Sequence, residues 1–173
     1  MYNYTYLNFI LIMKHILSIL TFVLPVMAFT ACDDDHSGLP DVDFIVDVSG
    51  AVYHDGQLYA VAGETMKITS IQVVNNIKGQ NALIPYADYY WDYVRIGQSV
   101  VPPYGADIYI SPDMMGGKHL LEIYAPVYAE DKSPAFSILQ YTVNVVASAN
   151  DLPAGGSASF AAHPGIKESD PTK

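Results

Sequence analysis

Zinc chemistry needs imidazole or thiolate groups at short spacing on one element, and the five histidines of this 173-residue chain do not supply it. His15 lies in an apolar leader, His36 and His163 in the two polar or small-residue ends, His54 at a turn signal and His119 at the start of a strand-like run. Gly155-Gly156-Ser157-Ala158-Ser159 lacks the Gly-x-Ser-x-Gly pattern of a nucleophile elbow. Glycoside hydrolysis needs two carboxyls about 5 to 9 Å apart across a cleft, whereas Asp43 and Asp47 fall on the solvent side of an alternating run. Asp33, Asp35, Ser37 and Gly38 copy the opening of an EF-hand loop, but Phe44 stands where the bidentate glutamate belongs and no helices flank it. A weak calcium site near Asn75–Lys78 or around Asp88 and Asp92 stays open. No catalytic residue, structural metal or cofactor is expected, and a small hydrolase is the least favoured class. What remains is a surplus of aromatic side chains, fourteen tyrosines and one tryptophan among them. Aromatic faces suit stacking on sugar rings or anchoring a protein partner; the candidate contacts are Tyr86, Tyr90, Asp92, Tyr104 and Tyr109, and the competing reading is that most of these tyrosines half-bury their rings in the sandwich with the hydroxyl in water.

These side chains must be held by strands, because strand signals recur every ten residues or so with turn chemistry between them. In "VDFIVDVSG", Val42, Phe44, Val46 and Val48 share one face while Asp43 and Asp47 take the other. His54-Asp55-Gly56 separates two apolar runs and reads as a hairpin turn. Met66 and Ile68 point inward in the next strand, and a bulge near Ser70 brings Ile71 and Val73 back into phase. In "ADYYWDYVRIG", Tyr89, Trp91 and Tyr93 alternate with Tyr90, Asp92 and Val94. "DIYIS" is a short strand; "GKHLLEIYAPVYA" and "FSILQYTVNVV" form a long hairpin around Glu130-Asp131-Lys132-Ser133, with Leu121, Ile123, Tyr141, Val143 and Val145 in the core. The expected fold is all-β: an antiparallel Greek-key β-sandwich of seven or eight strands. Residues 41–147 would form this domain, and 148–173, rich in Ala, Gly, Ser and Pro, a disordered tail.

Tyr90-Trp91-Asp92-Tyr93, Gly97, Gly117-Lys118-His119-Leu120-Leu121-Glu122-Ile123 and the closing "YTVNVV" resemble the strand landmarks of bacterial immunoglobulin-like and PKD-type domains. Val94-Arg95-Ile96 replaces the Gly-Asp-Gly usual in PKD domains, so the resemblance is to a divergent Ig-like domain. It implies that Trp91 points inward with Tyr89 and Tyr93 on its face. Tyr90 is then exposed beside Asp92, with Tyr86, Tyr104 and Tyr109 from nearby segments joining it.

At the other end, Met13-Lys14-His15 precedes the apolar stretch Ile16–Ala31, the pattern of a secretory leader, with Met13 the expected start. Sixteen residues interrupted by Pro25 fall short of the roughly 20 that cross a bilayer. Phe29-Thr30-Ala31-Cys32 resembles the lipobox of bacterial lipoproteins, with Phe29 where leucine is usual. The resemblance implies that residues 1–31 are removed and that Cys32, the only cysteine, is acylated and unavailable as a nucleophile. Two or three acyl chains hold a protein stably on a bilayer, and residues 32–40 become an acidic tether. Asp33-Asp34-Asp35 also resembles the export signal of Bacteroidetes surface lipoproteins, which implies the outer face of the outer membrane. Aspartate directly after the cysteine marks inner-membrane retention in enteric bacteria, and composition does not choose between the two.

The formal net charge of −10 repels nucleic acid and anionic headgroups. A lone cysteine permits no internal disulfide, so folding rests on an apolar core. The expected protein is a lipid-anchored envelope component whose Ig-like domain binds a protein or glycan. The rival is a structural subunit of a fimbria or envelope complex that adds strands at a sheet edge.

Overall fold

A computed structural model describes residues 38–168. The leader, Cys32 and the acidic run lie outside the described residues. Twelve strands make two layers: β1 (Val42–Ser49), β2 (Ala51–His54), β3 (Gln57–Val61), β4 (Thr65–Asn75), β5 (Ala82–Leu83), β6 (Ala87–Trp91), β7 (Val94–Ser99), β8 (Ala106–Tyr109), β9 (Lys118–Ala129), β10 (Ala135–Val146), β11 (Ser159–Ala162) and β12 (Gly165–Glu168). The first sheet runs β11-β1-β4-β8 and the second β2-β3-β10-β9-β6-β7, with β12 added to β10 and β5 to β9. Pairing is antiparallel except between β3 and β10, which run parallel. The molecule is an all-β, Ig-like sandwich. Eight strands, β1, β4 and β8 against β3, β10, β9, β6 and β7, face each other across the two layers; β2, β5, β11 and β12, of two to four residues, extend them.

Period-two alternation decides which side chains meet between the layers. Val42, Phe44, Val46 and Val48 of β1 are buried, as are Met66, Ile68 and Ile71 of β4; Leu121, Ile123, Ala125 and Val127 of β9 face Leu139, Tyr141, Val143 and Val145 of β10 in the same core. The β1–β4 register slips where Asp47 pairs with Ser70 and Val48 with Ile68, which makes Thr69 the extra residue of a bulge and restores the inward phase at Ile71. Between β1 and β2 the chain changes sheet at Gly50, whose φ of 70° favours glycine, and a Cβ there would collide with the Thr65 carbonyl. Asp55 and Gly56, at φ 49° and 79°, close the β2–β3 hairpin as the His54-Asp55-Gly56 signal requires.

Two expectations are corrected. Tyr93 does not share the inward face of Tyr89 and Trp91, for it is 77% exposed. Asp92 and Tyr93 have φ of 47° and 68° and form a two-residue turn, so Trp91 pairs with Val94 and "VRIGQS" returns as β7. Residues 148–168 are not a tail without structure either. After a short 3₁₀ turn at Ala149–Asp151, β11 pairs with β1 and β12 with β10. Phe160 of β11 is buried, stacked on Tyr53 at 4.0 Å between centroids and edge-on to Tyr141 at 5.3 Å. His163, expected in a loose end, is fixed by Nδ1 2.7 Å from Asp43 Oδ1. Small-residue composition lowers the intrinsic order of such a segment, but two open sheet edges and one buried ring supply partners that composition does not register.

Candidate aromatic face

The solvent side of the second sheet carries the densest group of tyrosines and charges. Tyr89 and Trp91 point into the core, so Asp88 and Tyr90 point outward from β6. β9 places Glu122 opposite Tyr90 and Tyr124 opposite Asp88, and β7 places Arg95 opposite Tyr90. The Tyr90 and Tyr124 rings lie 5.0 Å apart, tilted by 60°. Arg95 closes on Asp88 Oδ1 through Nη2 at 2.5 Å and Nε at 3.0 Å. That hydrogen bond, together with the Asp88 charge, raises the guanidinium pKa above its ordinary value. Beneath the rings Glu122 is only 3% exposed, and its Oε1 accepts from Gln140 Nε2 at 2.7 Å.

A buried carboxylate on the outer face of a sheet is unusual, because an ionised group loses hydration unless partners replace it. Here Gln140 supplies one hydrogen bond and the Tyr124 hydroxyl another. Burial, then the Glu122 charge, raises the Tyr124 pKa. Burial, followed by the charge of Asp88, does the same for Tyr86, which also feels Tyr128, Tyr90 and Arg95 and so belongs to this face. The arrangement offers tilted ring faces framed by carboxylate, guanidinium and amide groups. It can stack a flat or ring-shaped ligand and hydrogen-bond its rim.

Of the sequence candidates, Tyr86 and Tyr90 come together here. Asp92 serves the framework instead: Oδ1 accepts the Leu120 N–H at 2.9 Å and Oδ2 lies 2.7 Å from His119 Nδ1. Burial pushes its carboxyl up, but the hydrogen bonds from His119 and Leu120 and the His119 charge outweigh that, and its pKa sits below the ordinary 3.8. His119 in turn stacks on Trp91 at 5.2 Å. Tyr104 is on the core side of β6, since its carbonyl accepts from the Tyr89 hydroxyl while its own hydroxyl donates to the Ile84 carbonyl at 2.5 Å. Tyr109 is exposed on β8, at the edge of the other sheet.

Sequence reasoning missed Glu122, Tyr124 and Tyr128. Their signal was available: with Leu121 and Ile123 inward, alternation sends Glu122 and Tyr124 outward. Among the described residues no group of three or more His, Cys, Asp or Glu is placed to hold a metal ion, and no helix is long and apolar enough to cross a membrane.

No protein-family model matches the chain, and no curated protein matches it. Among solved structures it is similar to the fibronectin(III)-like modules of Clostridium thermocellum CbhA, at 20% identity and a TM-score of 0.34, over 58% of this chain and 98% of that one. The sandwich rests on the strand pairing described above and not on this likeness.

Proposed function

We propose that the chain is a lipid-anchored cell-envelope protein whose Ig-like domain binds a glycan or protein partner without chemical turnover, using the Tyr86, Tyr90 and Tyr124 face. The observation that carries this reading is the tilted Tyr90–Tyr124 pair above a buried, hydrogen-bonded Glu122. Holding a carboxylate nearly dry on an outer sheet face lowers stability relative to an apolar residue, a cost that folding alone does not require. Binding repays it when the carboxylate, accepting from the Tyr124 hydroxyl, fixes the tilt of the ring that meets the ligand. The acidic net charge favours neutral or basic partners. Acylation of Cys32 would hold the domain on a bilayer, and the Asp33-Asp34-Asp35 run favours the outer membrane; the tether expected over residues 32–40 ends before Gly38, whose carbonyl accepts from the Ser133 N–H, and Pro40, which is buried.

The test is a glycan-array screen of the chain beside its Tyr90→Ala and Tyr124→Ala variants. Expected is at least one glycan class retained by the parent and weakened roughly tenfold in each variant, as the loss of one stacking contact implies. Retention unchanged in both variants would remove this face from consideration. Mass spectrometry of the membrane-extracted protein should find diacylglycerol on Cys32, and surface proteolysis of intact cells should release the domain.

A further inference from the structure

Three sheet margins are closed by chain that follows the sandwich. β11 covers β1, while β12 and β3 divide the outer edge of β10. β2 is met by Ser157 through paired backbone hydrogen bonds to Tyr53, both 2.8 Å. β7 is different: it ends the second sheet, and among the described residues no strand pairs with its outer edge. Sheet edges in natural proteins are normally blunted by lysine, proline or inward charges. β7 has none of these within Val94–Ser99, and Arg95, its single charge, is already neutralised by Asp88; its one irregularity is a bulge at Ile96, which elsewhere can turn an edge away but here sets the strand's phase. Val94 and Ile96 are 65% and 44% exposed, and Val100 and Val101 in the following loop are 61% and 66% exposed. From Val94 to Gly105 the chain carries no acid, in a protein of net charge −10.

We propose that β7 is a homotypic docking edge, at which two copies of this chain pair antiparallel about a twofold axis between Ile96 and Gly97. A twofold contact requires a strand to be complementary to itself. Along a regular strand of six residues, reversal about the centre would set inward positions against outward ones. β7 escapes this because its register with β6 slips: Arg95 pairs with Tyr90 but Gly97 with Tyr89, leaving Ile96 as the extra residue. Val94, Gly97 and Ser99 therefore share the sheet side of Trp91, Tyr89 and Ala87, while Arg95 and Gln98 share that of Tyr90 and Asp88.

Reversed on itself, the strand sets Val94 against Ser99 and Arg95 against Gln98, like facing like. Ile96 of one copy lies over Gly97 of the other, where a Cβ would meet nothing within 4 Å and a cavity of about 140 Å³ opens between β7 and β8. Charge is complementary too. Across the joined outer face the order is Asp88, Gln98, then Arg95 and Tyr90 of the second copy, with no like charges adjacent. The pairing would join two tyrosine faces on one continuous sheet surface, so that a repeating ligand could engage both at once. It stands independently of what that face binds.

The experiment uses the full chain carrying Cys32→Ser, which prevents acylation. Sedimentation equilibrium over a micromolar range should show a monomer–dimer equilibrium, and a Val94→Lys, Ile96→Lys double variant should weaken it by roughly tenfold or more through exposed like charges at the edge. Because both side chains are exposed in the monomer, the double variant keeps the parent's thermal unfolding midpoint at concentrations where both are monomeric. The register is read by mixing chains bearing Val94→Cys with chains bearing Ser99→Cys under mild oxidation. Mixed disulfide dimers should exceed the like–like dimers of either chain alone. A chain that stays monomeric throughout, association indifferent to the two lysines, or cross-linking without preference for the mixed pair overturns the proposal. So does a monomer that takes up a foreign strand peptide, which would assign the edge to a different protein.

Discussion

Two buried tyrosines show how little a residue type says before its neighbours are known. Tyr89 and Tyr141 both lie in the core, and burial raises both hydroxyl pKa values. The Tyr89 hydroxyl donates to the Tyr104 carbonyl, whereas the Tyr141 hydroxyl has no hydrogen-bond partner among the described residues. Tyr89→Phe should therefore cost about 1 to 2 kcal/mol in urea unfolding, because it strands a carbonyl acceptor, while Tyr141→Phe should be neutral or stabilising. A loss above about 1 kcal/mol for Tyr141→Phe would show that its hydroxyl is satisfied after all. Asp92 gives a third residue-scale expectation. Asp92→Ala removes the acceptor for Leu120 N–H and His119, and should destabilise by about 1 to 3 kcal/mol while leaving ligand binding by Tyr90 intact. Its position in the aromatic run marked it as a contact on sequence alone. Only the turn geometry turned both of its oxygens inward, toward the start of β9.

At the scale of elements, β1 is the strand on which the first sheet depends. Asp47 stands in register with Ser159 of β11 on one side and Ser70 of β4 on the other. The Ser159 hydrogen bond, then that from Ser70 at 2.5 Å, lowers the Asp47 pKa below the ordinary 3.8. A carboxyl whose folded pKa is depressed contributes stability that is complete above its unfolded pKa and is lost as pH falls through the folded one. Asp92 follows the same sign. Acid unfolding should thus steepen below about pH 4, and Asp47→Asn should flatten that limb while loosening β11, which hydrogen exchange over Ser159–Ala162 would register. An unchanged acid limb in Asp47→Asn would leave Asp47 without a role in joining the three strands. The pattern of β1 was plain in sequence because alternation needs no partner to be read. Alternation makes its outer acids a solvated face, and the serines that hold one of them come from strands 23 and 112 positions away, beyond the reach of any local pattern.

For the whole molecule, the C-terminal segment decides which edges stay open. By covering β1, β2 and β10 it leaves β7, six residues long, and the four-residue β8 without an outer partner among the described residues, so the segment and the proposed dimer are linked through one topology. Phe160 is its anchor: Phe160→Ala should cost about 3 to 5 kcal/mol, the range for emptying a buried ring, whereas an unattached tail would give no change in urea midpoint. The same substitution should expose new edges on β1 and produce association that does not depend on Val94 or Ile96.

Sequence by itself determined the all-β class, the inward faces of β1, β4, β9 and β10, the Asp55-Gly56 hairpin and the bulge beside Ser70. Each of these is set by period-two sterics or by the left-handed backbone that a turn requires, and such constraints act within a few residues. Tertiary structure alone decided that Glu122 is buried beside tyrosines, that Asp92 fastens a turn, that Phe160 completes the core and that β7 has no outer partner among the described residues. Those outcomes depend on which strand edges meet, and edge pairing is a contest among distant segments for the same backbone donors and acceptors, settled only when the whole chain has closed.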